Sequence, residues 1–238
     1  MHVVVASRND PAAQALAARW ASRHGCEVAL LTGADLSVAG WSHRVGAPDQ
    51  SVAVLEGRRI RPGDIDGVLT RLAYVAPDEL PHIAEGDRAY AAQEMTAFLL
   101  SWLSSLACPV LNPPWPDCLA GPGWTQEKWL LSAERIGIPV QPLTRLVVWE
   151  DEPAPLPGPS APLARASVAG RDCFGDVDPA LAEHALRLAG ASGARLLNVY
   201  FTSARADARM VGVDLWPDVS APEIGDAALA YLKQAVPC

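Results

Sequence analysis

Lysine is almost missing from this chain: only Lys128 and Lys233 occur, against seventeen arginines. Cysteine is scarce and unpaired in pattern. Cys26, Cys108, Cys118, Cys173 and Cys238 contain no C-x-x-C spacing, which excludes a zinc knuckle and argues against a disulfide framework. No apolar run approaches the ~18 residues of a membrane-spanning helix, so no membrane partner is expected. The start, MHVVVASRND, lacks a basic n-region and a long apolar stretch, which predicts no signal peptide and a cytoplasmic location. Basic charge is short as well. The net charge is −8, divided as −4 over residues 1–150 and −4 over 151–238, so neither half suits nucleic acid. The P-loop, G-x-S-x-G, H-E-x-x-H and G-x-G-x-x-G motifs are all absent. The five histidines show no metal-ligand spacing.

What is present is an α/β pattern. The 238 residues suffice for one large or two small domains with a core that needs no covalent staples. His2–Ala6 is a valine-rich run suited to a buried parallel strand. Asp10 then stands as an N-cap with Pro11 at the first helical position, and Gly25 closes the helix. A second strand is expected over Glu27–Leu31. Ser51–Leu55 and Arg58–Arg61 flank Glu56-Gly57 as a hairpin. Val68–Val75 reads as a strand, Asp87 to about Ala107 as a long helix, and Pro109–Asn112 as a short strand. A Pro/Gly loop over Pro113–Gly123 precedes a helix over Trp124–Ile136, and Leu143–Trp149 is extended. Five prolines within residues 151–164 mark a linker. Beyond it come strands over Arg165–Ala169, Arg195–Thr202 and Arg209–Leu215. They alternate with a helix capped by Asp178 and a final helix over about Pro222–Val236 capped by Ser220.

The rarity of lysine directs attention to Lys128. Where arginine serves for generic charge, a retained ammonium at the start of a helix suits close approach to a phosphate oxygen. Lys233 near a helix end reads more simply as a favourable C-terminal cation.

Residues 110–142, VLNPPWPDCLAGPGWTQEKWLLSAERIGIPVQP, resemble the domain junction of ATP-grasp ligases, most closely the branch that modifies peptides. The matching positions are Asn112-Pro113, Lys128, Ala133, Gly137 and Pro139. Val68–Arg71 with a helix containing Glu94 is similar to that family's first domain, and Arg165–Gly170 to its late strand and turn. The resemblance implies a parallel pre-ATP-grasp-like α/β domain over 1–120. A shortened α+β ATP-grasp-like domain would follow over 121–238, with the proline-rich linker 151–164 standing where the family has its β-rich lid and second lysine. It implies ATP and magnesium as cofactors. It also implies Lys128 as the phosphate contact, Asp214 as a metal ligand, and Arg71 or Arg165 at a carboxylate or acyl-phosphate. The family's other metal positions fall at Tyr200, or at Asn198 in a shifted register, and at Trp216. Tyr and Trp are poor magnesium ligands. Glu94 is expected to pair with Arg71.

Three functions follow as expectations. One is a degenerate ATP-grasp-like accessory subunit, catalytically silent alone, that holds a peptide or protein partner and forms a homo-oligomer. Its many tryptophans would serve an interface. Another is a minimal ATP-dependent carboxylate–amine ligase. The last is an α/β small-molecule-binding domain using Ser7, Arg8 and Asn9 at the strand ends.

Overall fold

The computed structural model describes residues 1–143 and 163–234. All but the first residue of the extended segment expected over Leu143–Trp149, most of the proline-rich linker, the helix end expected at about Val236 and Cys238 lie outside the described residues.

The chain opens with β1 (His2–Ala6), α1 (Pro11–His24) and β2 (Val28–Leu31). A hairpin follows, β3 (Ala53–Leu55) with β4 (Arg58–Ile60). Then come β5 (Gly67–Arg71), α2 (Glu85–Ser105) and β6 (Val110–Leu111). These strands build a parallel sheet in the order β2-β1-β5-β6. Every residue of β1 is buried, as a strand covered on both faces requires.

The second half contains α3 (Gln126–Arg135), β7 (Ala164–Ala169), β8 (Asp172–Phe174), α4 (Pro179–Ser192), β9 (Leu196–Phe201), β10 (Met210–Asp214) and α5 (Pro222–Gln234). Its strands form an antiparallel sheet in the order β10-β9-β7-β8. The α/β class with a parallel sheet followed by an α+β part is the architecture expected from the sequence. Among the described residues, no helix is long and apolar enough to cross a membrane.

Local chemistry explains the ends of α1. The Asp10 carboxylate accepts the Ala13 N–H at 3.0 Å, and Gly25 turns left-handed at φ 60°. The hairpin turn has both Glu56 (φ 50°) and Gly57 (φ 75°) left-handed, the pairing that matches strand twist.

Several expectations are corrected. β5 ends at Arg71 rather than Val75. α3 starts at Gln126, so Trp124 precedes the helix. β7 already begins at Ala164, within the expected linker, and β8 was not anticipated. Three residues after a tight turn at Gly170 (φ 67°) are too few to show an alternation. Ser220 does not cap α5: its hydroxyl donates to Asp218 Oδ1 at 2.5 Å, and Ala221 is the residue before the helix.

Helix α5 joins the two sheets. Ile224, Ala228, Leu229 and Leu232 share a core with Val4, Leu69 and Leu111 of the parallel sheet, and with Ala169 and Leu196 of the antiparallel one. On its surface Asp226 accepts from Arg19 of α1 at 2.8 and 2.5 Å and contacts His24 at 3.0 Å. The Arg19 guanidinium is the main cause that lowers the Asp226 pKa to about 2. A depressed carboxylate stabilises fully above its ordinary value and loses that contribution as pH falls towards 2. Thermal melts should therefore show a loss of stability between about pH 4 and 2 that Asp226→Asn reduces. Asp226 is partly exposed, so salt should reduce it too.

Candidate functional site

The antiparallel sheet buries Ala166, Val168, Leu197, Val199 and Phe201 in a core shared with Trp129, Ala133, Leu181 and Leu188 of α3 and α4. The intervening positions carry polar side chains. Register places Arg165 beside Tyr200, Ser167 beside Asn198, and Asn198 beside Asp214. A continuous hydrogen-bond chain results. Ser167 Oγ donates to Asn198 Oδ1 at 2.7 Å, and Asn198 Nδ2 donates to Asp214 Oδ1 at 3.0 Å. The Tyr200 hydroxyl donates to Asp214 Oδ2 at 2.5 Å, and the Trp216 N–H donates to Oδ1 at 2.7 Å. Burial first, then the hydrogen bond to Asp214, pushes the Tyr200 pKa up, so its phenol stays neutral and donating.

Both oxygens of Asp214 thus serve the protein's own donors. The site offers one carboxylate, one amide, one hydroxyl that donates to that amide, a phenol and an indole. Magnesium takes hard oxygen ligands in a near-regular octahedron, and this donor set does not fit it. Among the described residues no group of three or more His, Cys, Asp or Glu side chains could hold a metal.

The turn after β10 draws in two arginines. Arg71, the last residue of β5, donates from Nε to Asp10 Oδ2 at 2.8 Å and from Nη1 to the Pro217 carbonyl at 2.9 Å. Its guanidinium lies 5.9 Å from the Trp216 ring. The expected Arg71–Glu94 pair is not formed; Glu94 instead is exposed and lines a cleft with Trp41, Met95 and Phe98. Asp10 outcompetes it because one of its oxygens caps α1 while the other faces β5. Arg165 is exposed and makes no side-chain hydrogen bond or ion pair among the described residues, acting on Asp218 and Tyr200 only through its charge. Asp218 is held below its ordinary pKa chiefly by the Ser220 hydroxyl, with smaller contributions from the charges of Arg71 and Arg165.

Lys128 is the third residue of α3 and is exposed. Its Nζ lies 4.5 Å from the Trp124 ring centre and 5.6 Å from that of Trp115, a double cation–π contact. Trp115 meets Trp124 edge-on at 5.8 Å, and Trp124 lies tilted on Trp129 at 4.7 Å. This cluster borders a cleft of about 310 Å³ whose other walls include Tyr200, Val211 and Val213. Gln126 ties the helix start to β10 by donating to the Val211 carbonyl at 3.0 Å.

At the strand ends of the parallel sheet, Ser7 and Arg8 meet a protein carboxylate, and the Asn9 N–H donates to Ser7 Oγ at 3.0 Å. The Ser7 hydroxyl donates to Glu79 Oε1, the Arg8 N–H reaches Glu79 Oε2 at 3.4 Å, and Glu79 is buried. That carboxylate occupies the place where a bound anion would otherwise use these donors.

Asn112, which opens the Asn-Pro pair of the resemblance, is a fully buried bridge. Its amide donates to the Ala120 carbonyl at 3.0 Å and the Leu196 carbonyl at 2.8 Å. Its oxygen accepts the Arg195 and Leu196 N–H groups at 2.6 and 2.8 Å.

No family model matches the chain, and no curated protein matches it. Solved structures do. The ligase PsnB, complexed with a phosphomimetic variant of its minimal precursor, Mg and ADP, aligns over 98% of both chains with a TM-score of 0.69 and 16% identity. The chain has the ATP-grasp fold. The macrocyclase MdnC of Microcystis aeruginosa, bound to the precursor peptide MdnA, shares this fold over 98% of this chain and 100% of its own, with a TM-score of 0.67 and 11% identity. An ATP-grasp ligase from Chryseobacterium gregarium, in complex with ADP and a leader and core peptide, covers 99% and 97% with a TM-score of 0.66 and 12% identity. The resemblance expects a metal carboxylate at Tyr200, or at Asn198 in a shifted register; here the Tyr200 phenol and the Asn198 amide both donate to Asp214. The sequence showed the identity of both residues but not these bonds, which depend on the register of β9 with β10.

Proposed function

We propose that this chain is an ATP-grasp-fold protein that does not itself transfer phosphoryl groups and acts as a binding subunit in peptide modification. The observation that carries the reading is the Tyr200–Asp214 hydrogen bond. Phosphoryl transfer depends on cations gathered around the β- and γ-phosphates. Here Asp214 is committed to Tyr200, Asn198 and Trp216, and Lys128 rests on two indoles. Arg71 braces Asp10 and Pro217. The peptide part of the reading draws on PsnB and MdnC, both solved with precursor peptides.

Titration calorimetry with millimolar ATP and magnesium should give no saturable heat, and incubation should release no ADP. The competing reading is a minimal carboxylate–amine ligase, with Lys128 on phosphate, Asp214 on the metal and Arg71 or Arg165 on the acyl group. It predicts saturable binding that Lys128→Ala abolishes. That result, or ADP release stimulated by a peptide, would overturn the proposal.

A further inference from the structure

A cleft of about 480 Å³ opens on the parallel-sheet half, between α2 and the segment that follows β5. Tyr74, Val75 and Pro77 form one wall and Pro116 contributes an end. The other wall is one face of α2: Ala89, Ala92, Gln93, Thr96, Ala97 and Leu100 recur at spacings of three and four residues. Alanine at three of these positions keeps the wall low. The cleft is held open by the protein's own bonds. Thr96 Oγ1 donates to the Ala92 carbonyl at 2.8 Å and accepts the Val75 N–H at 3.0 Å, which fixes the strand exit against the helix. Tyr74 stands 60% exposed at this cleft. An opening of this size and lining suits a few apolar side chains.

The rim is mainly acidic. Asp78 and Asp117 are exposed and directly follow the lining residues Pro77 and Pro116. Glu85, also exposed, lies one turn before Ala89 on the same helix face. Two nearby cations are tied to backbone carbonyls: Arg88 donates to Ile83 and Pro81 at 2.8 and 3.2 Å, and Arg8 to Asp78 at 3.4 Å. A second copy of this chain fits poorly, because a two-fold interface would set these carboxylates against their own copies.

We propose that this cleft docks an apolar peptide segment flanked by lysine or arginine. The apolar part fills the space against Val75, Ala92 and Leu100, and the flanking cations meet Asp78, Glu85 and Asp117. The inference rests on the peptide-binding part of the proposed function. It is independent of the nucleotide part.

Fluorescence anisotropy of a labelled Lys-Lys-Leu-Leu-Ala-Leu-Leu-Lys-Lys peptide, without nucleotide, tests it. The same peptide with glutamate in place of lysine should bind at least ~10-fold more weakly, a difference set by the rim charges. Ala97→Trp fills the cleft from an exposed position without changing charge and should abolish binding. Asp78→Lys with Glu85→Lys should reverse the preference between the two peptides. Circular dichroism of each variant confirms the fold. Equal binding of both peptides, unchanged binding by Ala97→Trp, or a concentration-dependent dimer that Ala97→Trp dissolves would each overturn the assignment. ATP turnover by the chain would leave it standing, and failure of the peptide to bind would leave the nucleotide reading standing.

Discussion

Asn112→Ala should lower the unfolding free energy by about 3–5 kcal/mol, the upper range for a single substitution. The side chain is fully buried and makes four hydrogen bonds to backbone groups of Ala120, Arg195 and Leu196. Truncation leaves the Arg195 and Leu196 N–H groups without this acceptor, and each buried orphan costs roughly 1–3 kcal/mol. It also opens space beside Gly121, where an added Cβ would lie 3.3 Å from Asn112 Nδ2 and 3.4 Å from its Cγ. Asn112→Asp keeps the acceptor and loses both donors while burying a charge, so it should be destabilised as well. Urea titration measures both variants, and hydrogen exchange at the Arg195 and Leu196 amides localises the effect. A variant within 1 kcal/mol of the parent, on the scale of an ordinary hydrogen bond, would contradict the role assigned to Asn112.

Arg71→Met should cost about 3 kcal/mol, for a different reason. The guanidinium is 9% exposed and its partner Asp10 is 14% exposed, so the charges are largely removed from water. Removing the cation leaves the Asp10 carboxylate facing an apolar side chain and frees the Pro217 carbonyl. Asp10→Asn should cost less, because asparagine still caps α1. The two changes share one interaction, so the double variant should be more stable than additivity predicts, by about 1–2 kcal/mol. An Arg71→Met protein as stable as the parent would point instead to an arginine held for a ligand.

The legible parts of the sequence were those governed by neighbours in the chain. Asp10, Pro11 and Gly25 set the ends of α1 through bonds to residues three to five positions away, and Glu56-Gly57 set its hairpin the same way. The buried valines of β1 marked a parallel strand without help from the rest. Distant pairings were not legible. Arg71 was expected on Glu94, yet the residue within reach is the second oxygen of the Asp10 cap, 61 positions away. Asn112 stood out as part of a motif, but its partner strand lies 84 residues on. Lys128 stood out by rarity; that Trp115 and Trp124 would hold its ammonium required the loop between β6 and α3 to fold back. β8 is too short to carry a periodic signal.

Manganese substitutes readily at hard-oxygen sites and broadens the NMR signals of nearby nuclei. Titrating manganese with ADP into isotopically labelled protein probes the sheet face directly. With Asp214 committed to Tyr200, Asn198 and Trp216, the amides of Asn198, Tyr200 and Gly212–Trp216 should keep their line widths. Selective broadening of those amides at substoichiometric manganese, lost in Asp214→Asn, would mean that a metal–nucleotide complex displaces the Tyr200 bond and that the chain retains the chemistry denied to it here.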